Sequence, residues 1–190
     1  VKLDGSGSTG DGIIYAWSAP NIAFDDPSSA TPTGRFPLGV TEVTLVVTAQ
    51  GHSATDVMGV EVVDTTAPAV VVTTDAPVLW PPTHQLVPVH FVVQSSDACD
   101  AQPTVRLLSV TSNEPDANLE IGDVVSDIQG AAAGTTDFDV LLRAERAGAG
   151  PGRTYTVCFE ATDGTGNHSQ GCAEVLVPHG EDAAVVVTAL

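Results

Sequence analysis

The chain has 190 residues, of which 43% are hydrophobic, and carries 24 acids against 6 bases for a formal charge of −18. So acidic a surface repels nucleic acid and anionic lipid headgroups, which excludes both as partners, while it tolerates divalent cations. The length fits one large domain or two small ones. Its apolar residues are mostly Val and Ala, in short runs punctuated by 18 Gly and 13 Pro, and that pattern favours strands over helices.

In chain order, Val1 falls inside a β-prone run, so the chain is expected to be a processed product or a fragment, with any targeting sequence upstream. A Gly/Ser/Asp turn over residues 4–12 leads to a strand ending near Trp17. Residues 43–63 and 155–177 then read as the same β-hairpin written twice: an alternating apolar strand, a tight polar turn and a second Val-rich strand. A hairpin cannot bury its own apolar face, so each copy is expected to close a larger module. The fold class expected is therefore all-β: two tandem immunoglobulin-like β-sandwiches, at 1–63 and 69–178, joined by a short Pro-limited linker at 64–68 (Asp-Thr-Thr-Ala-Pro). Residues 179–190 form a tail whose end, Ala183-Ala-Val-Val-Val-Thr-Ala-Leu190, is a further β-prone run.

Two resemblances sharpen this organisation. Asp4-Gly-Ser-Gly-Ser8, followed by Tyr15-Ala-Trp17 and by Phe36-Pro-Leu-Gly39 before the hairpin, resembles a polycystic kidney disease (PKD) type domain. That family's Asp-Phe-Gly-Asp-Gly is replaced here by Ser18-Ala-Pro-Asn21. Leu79-Trp-Pro-Pro-Thr-His84, Ser109-Val-Thr-Ser-Asn-Glu-Pro115 and Arg143-Ala-Glu-Arg146 together resemble a bacterial immunoglobulin-like module related to hyalin repeats, found in large secreted proteins. The resemblance implies an extracellular or cell-surface location and no catalytic role. PKD-type domains begin with a strand ahead of the Asp-Gly-Ser-Gly-Ser turn, which implies that the first sandwich lacks its opening strand.

The candidate metal site is acidic. An immunoglobulin-like topology would gather Asp64, Asp97, Asp100, Asp163 and Asn167 at one end, and hard cations such as Ca²⁺ take six to eight oxygens from such turns. Asp, Gly and Asn are also ordinary turn formers. The Asp4–Asp11 turn is a poorer second candidate, and neither has EF-hand spacing.

The three cysteines are Cys99, Cys158 and Cys172. Alternation with Val157, Phe159, Val175 and Val177 inward turns Cys158 and Cys172 outward and opposite each other, a geometry that permits a disulfide. The hyalin-repeat resemblance implies a rival pairing of Cys99 with Cys172, and Cys158–Cys172 is preferred. His52, His84, His90, His168 and His179 form no ligand pair, and no GxSxG elbow is present, so no catalytic residues are expected. Asn113-Glu-Pro-Asp116 and Arg143-Ala-Glu-Arg146 together mix rare bases with acids and read as structural salt bridging that fixes the long middle loop.

The function expected is a non-enzymatic structural or adhesive module. Its alternatives are a self-assembling filament subunit and a carbohydrate-binding accessory module contacting surface glycans. In the filament, Val185, Val187 and Leu190 of one copy would complete the first domain of the next, head to tail. The carbohydrate reading needs exposed aromatics, and most of Trp17, Trp80, Tyr15 and Tyr155 are expected to face the core.

Overall fold

The computed structural model describes residues 1–117 and 123–180. The tail residues Val185, Val187 and Leu190 lie outside the described residues. The protein is all-β, with ten strands in three sheets among the described residues. No helix among the described residues is long and apolar enough to cross a membrane. The chain divides into two compact units, Val1–Asp64 and Thr65–Leu190.

In the first unit, β1 (Ile14–Ser18), β2 (Gly39–Ala49) and β3 (His52–Val62) form an antiparallel sheet in the order β1-β2-β3. Gln50 and Gly51 join β2 to β3 with φ of 51° and 78°. Two positive values in a two-residue loop match the twist of the flanking strands, as a type I′ turn does. The register then runs without a break from Ala49↔His52 to Gly39↔Val62.

The layer facing this sheet is thin. Residues 1–5 lie against residues 30–34 through the bridge Lys2↔Thr33 and bonds from Leu3 N to Pro32 O (2.9 Å) and Gly5 N to Ala30 O (2.8 Å). Leu3, Trp17, Val43, Leu45 and Val60 make the core between the layers. The glycine of the Asp4-Gly5 turn is there for space: a Cβ on Gly5 would come within 2.8 Å of the Trp17 ring and 3.0 Å of Leu45. The Trp17 indole N–H donates to Ser29 O at 3.0 Å, satisfying its one polar atom.

The second unit has seven strands among the described residues: β4 (Ala69–Thr74), β5 (Leu86–Ser96), β6 (Thr104–Ser112), β7 (Ile128–Gln129), β8 (Asp139–Arg143), β9 (Gly152–Thr162) and β10 (His168–Pro178). They form one sheet in the order β4-β5-β8-β7 and another in the order β10-β9-β6. Inward rows from both sheets interdigitate, as in any β-sandwich. Phe159 of β9 packs on Phe91 of β5 and Phe138 just before β8, at 5.9 and 5.5 Å between ring centroids. Tyr155, Val157, Val175 and Val177 are fully buried around them.

Both repeated hairpins are present, as β2–β3 and β9–β10, but their turns differ. The second is a loop over residues 163–167, closed by Asp163 N donating to Asn167 O at 3.0 Å. Cys158 and Cys172 stand directly opposite on β9 and β10 and are joined by a disulfide, with Cα atoms 4.1 Å apart. That spacing suits the closer, non-hydrogen-bonded class of antiparallel pair. Cys99 stands exposed outside the disulfide.

Candidate functional site

Asp97, Asp100, Asp163 and Asn167 lie on the β5–β6 and β9–β10 loops of the second unit, while Asp64 is the last residue of the first. The two loops meet where Gly164 N donates to Asp100 Oδ2 at 2.8 Å. The other Asp100 oxygen accepts from Gln102 N, and Asp97 Oδ1 accepts from Cys99 N and Asp100 N, all within 2.9 Å. Asp163 Oδ1 accepts from Thr165 N, Thr165 Oγ1 and Asn167 N, and its Oδ2 from the Asn167 side-chain amide. Burial pushes the Asp163 carboxyl up, but the donors from Asn167 and Thr165 outweigh it and hold the group down at about 2.

Within this set Asp163 and Asn167 are bonded to each other and to their own loop. Asn167 presents its NH₂ and not its oxygen, and Asp163 already receives four hydrogen bonds from its own loop. The unfolding temperature in EDTA and in millimolar Ca²⁺ tests whether the remaining acids hold a cation. A drop in EDTA that Ca²⁺ restores would assign an ion to this end. The same amide bonds engage the side chain of the Asn167-His-Ser169 sequon, which is held in the turn instead of projecting from it.

The densest polar constellation lies elsewhere in this unit and is buried. Arg153, at 0% exposure, donates to Asp127 Oδ2, to the Tyr155 hydroxyl at 3.2 Å, to Pro115 O at 3.1 Å and to Glu114 Oε2 at 3.4 Å. Arg143 donates to Asp127 Oδ1 at 3.0 Å and to the carbonyls of His84, Val125 and Ser126 at 2.9–3.2 Å. One buried carboxylate thus bridges two guanidinium groups. Tyr155 closes the ring by donating to Arg143 O at 2.9 Å. Asp116 accepts from the Ser126 and Asp127 amides at 3.0 and 2.6 Å and fixes the backbone that carries Asp127.

A second arm runs through Glu145, which accepts from Val124 N at 3.3 Å and pairs with His84 Nδ1 at 2.9 Å. Burial, with a hydrogen bond to the Asp123 carboxyl, pushes Glu145 above the usual range against the opposing pull of His84. Burial likewise lifts Tyr155 to about 12 although Arg153 beside it pulls the other way. Burial opposes the charge on Arg153, but its bonds to Asp127 and Tyr155 win and hold the guanidinium above its ordinary value.

The three motif segments of this unit converge here. His84 ends the first, Asn113-Glu-Pro115 belongs to the second, and Arg143 and Glu145 form the third. Glu114 Oε2 also accepts from Ala147 N at 2.8 Å, and Asn113 Oδ1 from Thr154 N at 2.8 Å. Arg143 and Glu114 both form salt bridges, as expected, but with Asp127 and Arg153 and not with each other. Sequence reading missed Asp127, Arg153 and the role of Tyr155. A signal existed: Arg153 shares the inward parity of Tyr155, Val157 and Phe159, and a charge on a core-facing row demands buried partners.

No aromatic platform forms from the four candidates for glycan contact. Trp17 and Tyr155 are buried, Tyr15 is half-buried, and Trp80 alone is exposed at 40%. Leu79 takes the core position next to it and turns Trp80 outward.

No family model matches the chain, and no curated protein matches it. Among solved structures, human protocadherin-24 EC1-2 is similar at 16% identity and a TM-score of 0.32, over 87% of this chain and 79% of that one. The protocadherin gammaB7 EC3-6 cis-dimer structure is similar at 14% identity and a TM-score of 0.35, over 86% of this chain. Protocadherin gamma B2 extracellular cadherin domains 3–6 give 12% identity and a TM-score of 0.35, also over 86%. This chain spans only 40% and 39% of those two proteins.

Proposed function

We propose that the protein is a non-enzymatic structural or adhesive module that works outside the cell. The observation that carries this reading is the direction of its chemistry. The arginines and acids that a catalytic site would turn toward a ligand are spent in the second unit on one another and on backbone carbonyls. They clamp the segments around Glu114, Asp127 and Glu145 to the sandwich. The Cys158–Cys172 disulfide supports an oxidising, extracellular setting. The PKD-like reading of the first unit and the hyalin-repeat-like reading of the second belong to this proposal, the latter supported by the meeting of its three motifs in one network. Its partners are protein chains, copies of itself among them.

Force is the natural test. Pulled from its termini, the oxidised second unit is expected to release a contour length shorter than the reduced one by roughly 45 Å, the chain held inside the disulfide loop. It is expected to unfold in one cooperative step. A unit that yields in small steps at negligible force, or a purified protein that turns over a glycan or peptide substrate, overturns the reading.

A further inference from the structure

The first unit leaves one strand open to addition. β3 is 11 residues long and forms an edge of its sheet among the described residues. Soluble proteins blunt such edges with Pro, Lys, bulges or a covering segment, because a bare row of N–H and C=O groups templates pairing with another strand. β3 has no Pro, no Lys and no register shift, and of its residues only Val60 is buried; the inward-pointing Asp56 is its one partial guard on that row.

Its inward row is where cover is missing. Ala54, Asp56 and Met58 stand opposite Val47, Leu45 and Val43 of β2. On β2 that row is buried or half-buried, but on β3 all three are exposed, Met58 at 44%. The facing layer stops short, leaving a groove of about 490 Å³ between residues 4–9 and the β2–β3 sheet, floored by Leu45, Val47 and Ala54. The outer face beside this edge is mixed: Val57 is 52% exposed, and Val40 of β2 72%, among Ser53, Thr55 and Glu61. A strand added to β3 would therefore meet Ala54 and Met58 on its inward face and Val57 on its outer one.

We infer that β3 accepts residues 183–190 of a second copy of this chain. This rests on the structural reading above and names its partner. The segment Ala183-Ala-Val-Val-Val-Thr-Ala-Leu190 has no charge and no Pro, and it is apolar at both parities. Continuous apolar runs of that kind belong to strands buried on both faces. Extended, its eight residues span about 26 Å, within the roughly 36 Å of β3. Charge points the same way. Two chains of −18 repel each other, so a contact between copies must pass through a neutral element, and this run is one. Asp56 is the one acid on the inward row and sits at the groove. Because donor and acceptor surfaces differ, the contact is head-to-tail and builds an open chain of subunits.

The test uses the whole chain with Cys99→Ser, which removes adventitious disulfide dimers through the exposed thiol. Light scattering is expected to show a mass that grows with concentration above the 19.4 kDa monomer. Removing residues 183–190 should leave a monomer to which a synthetic peptide of that sequence binds, and the same peptide in excess should cap the intact protein's assemblies. Val185→Lys with Val187→Lys should raise the half-assembly concentration by more than about tenfold, since each lysine loses water on docking. An intact protein that stays monomeric overturns the inference, including one whose β3 amides are protected by its own tail. So does a truncated protein that assembles equally well. Either result leaves the force measurement on the second unit untouched, so the two readings fail separately.

Discussion

Asp127→Ala is expected to destabilise the second unit by about 3–5 kcal/mol, because it strips the shared carboxylate from two guanidinium groups that stay buried. Arg153 has 0% exposed side chain and cannot swing to water without opening the strand that carries it. Glu114 reaches Arg153 only at 3.4 Å and already serves Ala147 N, so it cannot replace Asp127. For a unit of this size the loss corresponds to a fall in unfolding temperature on the order of 15 °C or more. Thermal unfolding followed at Trp80, the second unit's tryptophan, measures it, with Trp17 reporting on the first. A change below about 1 kcal/mol would show that water or a neighbouring acid reaches the arginines, which their burial argues against.

The large effect of this one acid does not make the network a net source of stability. Desolvating two arginines costs several kcal/mol each, and apolar residues of like volume often do as well. What the ions add is specification of the loops. Asp127, Ser126, Val125 and Val124 all bond to Arg143, Asp116 or Glu145. Among the described residues this segment between β6 and β8 holds only the two-residue strand β7, so its path is set by side-chain bonds more than by a sheet ladder.

How far the molecule was legible in its sequence follows from the range of the forces involved. The twin hairpins were legible because strand alternation is local: Val157, Phe159, Val175 and Val177 inward and both cysteines outward is a statement about parity, and the structure has that parity. Gathering Asp97, Asp100, Asp163 and Asn167 at one end was legible from topology. Their bonding was not, since whether an Asn turns its oxygen or its NH₂ toward an Asp depends on the closure of a five-residue turn. The pairing of Asp127 with Arg153 joins residues 26 positions apart through the sandwich interior, and no local pattern at Asp127 announces it. β3 shows the limit most clearly. Its Val-rich pattern matches that of β10, yet Val175 and Val177 are buried while Met58 is exposed, because burial depends on what the opposite layer covers.

Phe159→Ala is the second large effect expected, at about 3–5 kcal/mol for a fully buried aromatic removed from a close-packed core. Phe159 is the ring of the β10-β9-β6 sheet that touches aromatics on the opposite side of the sandwich, Phe91 of β5 and Phe138 before β8. The disulfide cannot compensate, because it joins β9 to β10, neighbours within one sheet, and leaves sheet-to-sheet adhesion to the core. The loss should therefore be uneven. Hydrogen exchange is expected to speed most in β5 and β8, while the cross-linked β9–β10 hairpin keeps more of its protection. Equal acceleration in all four strands would show that the sandwich opens only as a whole, with the aromatic cluster and the hairpin in one cooperative unit. Unequal acceleration would locate the give in this module between its sheets, where packed side chains carry most of the contact and the backbone bonds of Leu176 to Pro77 and Leu79 add a local tie.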